Sequence, residues 1–341
     1  MSACLLYNDD RAVASFVFDG GRITSYIPTV PGLLPMQIRQ TTPDGFSAWI
    51  RERAIDLNTL RHRRLAQALL GSRDKLTLAI RTNMFSLSDK FTCFPEGEFT
   101  PRRQLCDPEA QNVISAFILL SSETSLRGVR VSTPNISTDG SFPKTWRYED
   151  GAWWLYKLQA PEAVRAEIEI SRVLRACGWD AAEYRPVEPY ADRVRSLCFV
   201  GDGEFFEPYD SLRFMFADAS DDDDTIYRNI ASLGPEFELA WRRILAADAL
   251  FENTDRHMRN FGVMRSTETG AILRLAPNFD NNQAYRANPG DRYTGGMLRA
   301  WFRGADAADL ENLRTLVHAA RSSAYLSEAV DAARALLQQE G

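Results

Sequence analysis

Asn253-Thr254-Asp255-Arg256-His257-Met258-Arg259-Asn260-Phe261-Gly262 sets an aspartate and an asparagine five positions apart among basic residues, directly after an apolar run of helical period. A second acid, Asp280, follows twenty positions after Asn260 in Ala276-Pro277-Asn278-Phe279-Asp280-Asn281. Phosphoryl transfer needs such a set: one carboxylate to orient the attacking hydroxyl, and an amide with a second carboxylate to hold Mg²⁺ on nucleotide phosphates. By itself the Asp–Asn spacing also suits an ordinary turn or cap.

Working outward, three features give the spacing a context. Phe261–Arg265 and Ala271–Leu275 read as a hairpin turned by residues 266–270, which folds Asp280 back beside Asn260. Upstream, Lys157 closes a strand and Glu167 falls ten residues later on the next helix, the order in which a kinase builds its Lys–Glu pair. Before that strand, Ser137-Thr138-Asp139-Gly140-Ser141-Phe142-Pro143-Lys144 is a polar, glycine-containing loop where a phosphate-covering loop belongs.

Asn-x-Asp-Arg-His-x-x-Asn-Phe-Gly followed by Ala-Pro-x-Phe-Asp resembles the HipA-like family of bacterial serine/threonine kinases, and the match in motif order runs over about residues 130 to 290. The resemblance implies an α+β, two-lobed protein-kinase-like fold with ATP and Mg²⁺ as cofactors. It implies Asp255 as the catalytic aspartate, Asn260 and Asp280 as metal ligands, and His257 as a brace for the catalytic loop. Lys157 would contact the phosphates, steadied by Glu167, with Glu169 as the alternative partner. Backbone groups near Glu207 to Tyr209 would meet the adenine. Ser137, Gly140 and Lys144 would form the phosphate loop, Ser137 matching the family's autophosphorylated serine. The chain departs from the family in having one glycine in that loop, stiffened by Pro143, and in the tail Asn281–Tyr285.

Composition bounds the partners. A net charge of −6 argues against general nucleic-acid binding, so no direct nucleic-acid contact is expected. The basic cluster Arg61-His62-Arg63-Arg64 reads as a solvated helix face, and the acidic run 220–224 as a surface loop or helix N-terminus. Five cysteines without Cys-x-x-Cys spacing and three histidines favour neither a zinc site nor a disulfide framework. No apolar run approaches membrane-spanning length and no signal segment opens the chain, so a cytoplasmic protein without a membrane partner is expected.

The organisation reads as an α/β subdomain (1–128), a kinase N-lobe with the phosphate loop (129–210) and a helical C-lobe with the catalytic loop (211–341). Within the first, Val13–Phe18 and Leu76–Ile80 have strand composition, residues 46–70 suit one or two amphipathic helices stopped at Gly71, and residues 91–111 read as a loop. Thr145 to Leu158 around Asp150-Gly151 reads as a hairpin, residues 161–178 as a helix, and a strand pair brackets Gly201-Asp202-Gly203. Residues 305–338 read as packing helices.

The function expected from these readings is phosphoryl transfer to a serine or threonine of a protein substrate, with an antitoxin or regulatory protein as a partner. The alternatives are a small-molecule or lipid kinase, and a nucleotide-binding, non-catalytic toxin–antitoxin or regulatory protein.

Overall fold

Cys4, Leu6 and Asn8 alternate inward along β1 (Ser2–Asn8) of the computed structural model, the period of a strand with one face on a core. β1 pairs antiparallel with β2 (Arg11–Asp19), β2 with β3 (Arg22–Pro28), and the other edge of β1 with β4 (Phe91–Pro95). The structure describes residues 1–55, 57, 60–120, 132–136, 143–288 and 290–339. They form two compact units: Met1–Leu158 with Val200–Glu207 and Met264–Leu273, and Gln159–Phe199 with Pro208–Val263 and Arg274–Gly341.

In the first unit α1 (Pro43–Glu52) lays Phe46, Trp49 and Ile50 on the sheet, and Phe46 stacks on Tyr26 with ring centres 4.1 Å apart. α2 (Leu60–Leu70) follows, and Gly71 ends it at φ 62° with its N–H on the Gln67 carbonyl. Residues 46–70 therefore make two helices. Leu76–Ile80 is not a strand but the body of α3 (Lys75–Arg81). Its cap overrides the β-like composition: the Asp74 carboxylate accepts from the Thr77 N–H at 2.8 Å and hydroxyl at 2.7 Å. Burial pushes the Asp74 carboxyl up, yet the Thr77 bonds and Arg51 outweigh it and hold the pKa low. Residues 91–111 are likewise not a loop. They hold β4, α4 (Arg102–Leu105) and the start of α5 (Pro108–Leu120).

The hairpin is as read: β5 (Lys144–Glu149) and β6 (Ala152–Leu158) turn at Asp150 (φ 55°) and Gly151 (φ 77°), the paired positive φ of a type I′ turn. The buried Asn135 side-chain Oδ1 accepts from the Thr145 hydroxyl at 2.8 Å and the Trp146 N–H at 2.7 Å, fixing the chain just before the phosphate-loop segment.

α6 (Pro161–Ala176) opens the second unit with proline at its first position and stops at Gly178 (φ 71°). β7 (Tyr184–Val187) and β8 (Tyr190–Leu197) pair with each other. The strands on either side of Gly201-Asp202-Gly203 thus do not pair as read. β8 takes β7, and β9 (Glu204–Pro208) joins the later hairpin in the order β11-β10-β9.

α7 (Tyr209–Leu212) is a single turn. α8 (Asp223–Ala231) is capped by Asp222, whose side chain accepts from the Thr225 N–H, so the acidic run is a surface segment leading into a helix N-terminus. α9 (Pro235–Phe251) is the buried helix ahead of the motif, and β10 (Gly262–Ser266) with β11 (Ile272–Leu275) forms the expected hairpin. α10 (Gly296–Phe302), α11 (Ala307–Ala320) and α12 (Ser327–Leu337) pack on α6 and α9 through Leu298, Leu313, Leu316, Ala329 and Val330. Among the described residues no helix is long and apolar enough to cross a membrane. His62 in the basic cluster is buried, while Arg63 and Arg64 are exposed.

Candidate active site

α9 ends at Glu252 in the left-handed conformation (φ 49°), which turns the chain out of the helix into the motif. Glu252 is itself fixed, accepting from the Thr294 N–H and hydroxyl and the Gly296 N–H, at the N-terminal end of α10. The loop then closes by short bonds. The Asp255 N–H donates to the Asn253 side chain at 3.2 Å, the Asn260 N–H to the His257 carbonyl at 2.8 Å, and the Asn260 amide nitrogen to the Asp255 carbonyl at 2.9 Å. The last bond uses the Nδ2 of Asn260 and leaves Oδ1 as its acceptor atom.

Arg256 is the organising side chain, and composition gave it no such place. It lies buried and meets Asp248 of α9 through two bonds of 2.9 Å each. Its Nη1 donates to the Asn260 and Phe279 carbonyls, both at 2.8 Å, and its Nη2 reaches the Asn281 side chain at 2.9 Å. One guanidinium therefore holds the carbonyl of one candidate metal ligand and the carbonyl next to the other. Burial works against its charge, but Asp248, and further off Asp280, outweigh it and raise the Arg256 pKa. Asn253 supports the same hub, donating to Asp248 at 3.1 Å and Asn281 at 3.3 Å.

Asp280 is held from the other side. The Asn278 N–H donates to the Asp180 carbonyl and the Ala182 N–H to the Asn278 carbonyl, both at 2.9 Å, while Phe279 packs on Phe199. The Asp280 N–H donates to the Tyr184 hydroxyl at 3.0 Å, and Asp280 itself has φ 59°, a left-handed conformation that aspartate adopts more readily than most non-glycine residues. Asp255, Asn260 and Asp280 are thus brought to one place in the second unit.

These residues fit Mg²⁺. The ion takes oxygen ligands and needs only one or two carboxylates when phosphate oxygens complete its shell. An aspartate and an amide oxygen supply that. Among the described residues there is no cluster of three or more His, Cys, Asp or Glu, which such a site does not require.

The remaining candidates fall as follows. Lys157, buried, lies directly across from Lys144 on the β5–β6 hairpin. Ser137 and Gly140 lie outside the described residues. Glu167 is fully buried on α6 and accepts from Gln159 at 2.7 Å. Glu169, two residues on, faces another side of the helix. It accepts from Ser323 at 2.8 Å and Arg172 at 2.9 Å, and although burial pushes its carboxyl up, those partners hold it low.

Two candidates are committed to the fold. The Glu207 carboxylate is buried against Arg265 and the Met36 N–H. Tyr209 is fully buried against Phe261; its N–H donates to the Phe261 carbonyl and its carbonyl accepts from Arg213. Tyr209 therefore packs and has no backbone donor left for an adenine. His257 is exposed and accepts the Arg259 N–H on Nδ1 at 3.2 Å. Sequence reasoning missed Asp248, Arg256 and Tyr184. A lone aspartate in the apolar run Leu245-Ala-Ala-Asp248-Ala-Leu250 was the available signal, since an unpaired carboxylate is not buried without cost.

The fold is the α+β fold of HipA-like kinases, and its second unit carries an Asp–Asn–Asp constellation. Across 98% of this chain and 97% of the other, it matches the HipA of Shewanella oneidensis MR-1, solved with HipB and operator DNA, at a TM-score of 0.62 and 13% identity. A proinflammatory kinase of Helicobacter pylori, CtkA, matches 57% of this chain and 93% of its own at a TM-score of 0.42 and 11% identity. No family model and no curated protein matches the sequence.

Proposed function

We propose that this protein is an ATP- and Mg²⁺-dependent kinase that transfers the γ-phosphoryl group to a serine or threonine hydroxyl of a protein. The observation that carries the reading is the Arg256 hub, which joins the Asn260 and Phe279 carbonyls and so gathers Asp255, Asn260 and Asp280. A buried, fully hydrogen-bonded arginine is far more than a turn needs, and it supplies the preorganisation that phosphoryl transfer depends on.

In this reading Asp255 accepts a hydrogen bond from the attacking hydroxyl and takes its proton. Asn260 Oδ1 and the Asp280 carboxylate hold the metal. When bound, Mg²⁺ supplies neutralisation of charge on the phosphate oxygens. Lys157, with Lys144 opposite it, meets phosphate charge. Glu167 steadies Lys157, and Ser137 and Gly140 belong to the covering loop. His257 braces the catalytic turn through Nδ1, and the Glu207 backbone stays the candidate for adenine contact. Residues 1–128 serve as an accessory subdomain to the kinase parts at 129–210 and 211–341. The protein works in the cytoplasm, and a HipB-like antitoxin or other regulatory protein is its partner.

Intact-mass spectrometry of purified protein incubated with ATP and Mg²⁺ tests the proposal. Added phosphate, mapped to Ser137 or another hydroxyl and missing when Mg²⁺ is chelated, is the expected result. No phosphate on the protein or on any offered protein substrate contradicts it.

A further inference from the structure

Immediately after α7 the chain presents two large apolar side chains to solvent, Phe214 at 54% and Met215 at 43% exposure. They stand on a 3-10 turn (Arg213–Met215) whose flanks are tied by side-chain bonds. Arg213 donates to the Asp210 carbonyl at 3.3 Å and the Ala219 carbonyl at 3.4 Å, and pairs with the Asp210 carboxylate. The Asn229 amide donates to the Tyr209 hydroxyl at 3.0 Å and the Asp218 carbonyl at 2.8 Å. Phe216, the third apolar residue, turns inward and stacks on Tyr209. The loop thus has an inward slot, uses it for Phe216, and holds Phe214 and Met215 outward.

This loop abuts the motif. The Asp210 N–H donates to the Met258 carbonyl at 3.0 Å, and Arg259 pairs with Asp210. Its charge is predominantly negative: residues 210–224 carry six aspartates and one arginine. Asp210 and Asp218 have arginine partners, whereas Asp221, Asp223 and Asp224 are exposed and form no ion pair among the described residues. Fixed apolar side chains beside uncompensated negative charge fit a partner segment that carries an apolar residue flanked by basic ones. The same charge repels an anionic lipid surface and nucleic acid.

We infer that Phe214, Met215 and the acidic run at 221–224 form the docking surface for the phosphoacceptor protein, which presents an extended basic-and-apolar segment near its hydroxyl. The inference rests on the kinase reading and names the substrate class for it. From Phe214 back to Asp210, across to Met258 and on to Asp255 is at most roughly 30 Å of chain, so an extended peptide of about ten residues can reach both.

Fluorescence anisotropy without nucleotide tests it, using a dye-labelled peptide of about twelve residues with one serine, a central leucine and flanking arginines. A control peptide has glutamate for each arginine. The basic peptide binds and the acidic one does not. The double variant Phe214→Ala/Met215→Ala binds about tenfold more weakly, as loss of an aromatic anchor predicts. Asp221→Asn/Asp223→Asn/Asp224→Asn weakens binding and flattens its salt dependence. Equal binding of both peptides, no binding by the wild type, or unchanged binding by the double variant overturns the inference. The two readings are separable: a wild type that binds the peptide as described yet transfers no phosphate rejects the kinase reading and leaves only a docking surface for a basic-and-apolar segment. Intact transfer with an unaltered peptide KM in the double variant rejects the docking surface alone.

Discussion

Two buried arginines answer the same physical problem in different ways. Arg265, in the first unit, pairs with Glu207 and donates to the Gly32, Leu34 and Gly270 carbonyls. Gly270 is needed there: at φ 73° a Cβ would lie 2.1 Å from the Gly32 carbonyl oxygen. The partners of Arg265 are the Glu207 carboxylate and backbone carbonyls of the first unit. Arg256, in the second unit, pairs with Asp248 in the same buried manner, yet its carbonyl partners are Asn260 and the residue before Asp280. Both satisfy a charge that would otherwise be costly to bury. Only one spends its donors on residues whose side chains can do chemistry, so the partners of a buried arginine, rather than its burial, point to function.

The largest expected effects come from removing each arginine. Arg256→Met and Arg265→Met each leave a buried carboxylate unpaired and destabilise the protein by about 3–5 kcal/mol, read by chemical denaturation. They differ in activity per folded molecule. Arg256→Met loses about a hundredfold in phosphate transfer through a misplaced loop, while Arg265→Met stays near the wild type. Equal losses would break the comparison.

Next in size, Lys157→Ala raises the KM for ATP by about 10- to 100-fold, the worth of a charge-assisted hydrogen bond. Lys144→Ala raises it less. Steady-state kinetics across ATP concentrations checks both, and no change at Lys157 would remove that residue from nucleotide binding.

The smallest effect concerns Glu252, which turns α9 into the motif. Burial raises its pKa, but the bonds from Thr294, Gly296 and Met297 outweigh burial and hold it low. A carboxylate depressed in the folded state contributes stability above its unfolded value and loses it as pH falls through the lower folded value. Glu252→Gln should therefore melt below the wild type at neutral pH, and the gap should narrow as pH drops under about 4.3. A gap that is constant with pH would show that its charge does not matter.

What the sequence made legible was local. The Asp255–Asn260 spacing, the Asp150-Gly151 hairpin, the α6 stop at Gly178 and the β10–β11 turn are set within a few residues, and the structure has them. The constellation around Arg256 was only half legible, because a guanidinium flanked by His257 and Asp255 looks like one more surface charge until Asp248 is placed beside it. Leu76–Ile80 misled because β-branched and apolar composition hid an Asp74–Thr77 cap. β4 and the partners of β8 and β9 were missed for a different reason: strand pairing across long separations leaves no local trace.

Transfer of labelled phosphate from ATP, compared between the wild type and Asp255→Asn at equal folded concentration, tests the central claim most directly. The wild type should label itself or a basic serine-containing peptide, and Asp255→Asn should reduce labelling to background with its melting temperature unchanged. Equal labelling by the two proteins would contradict the assignment of Asp255, and with it the kinase built around Arg256.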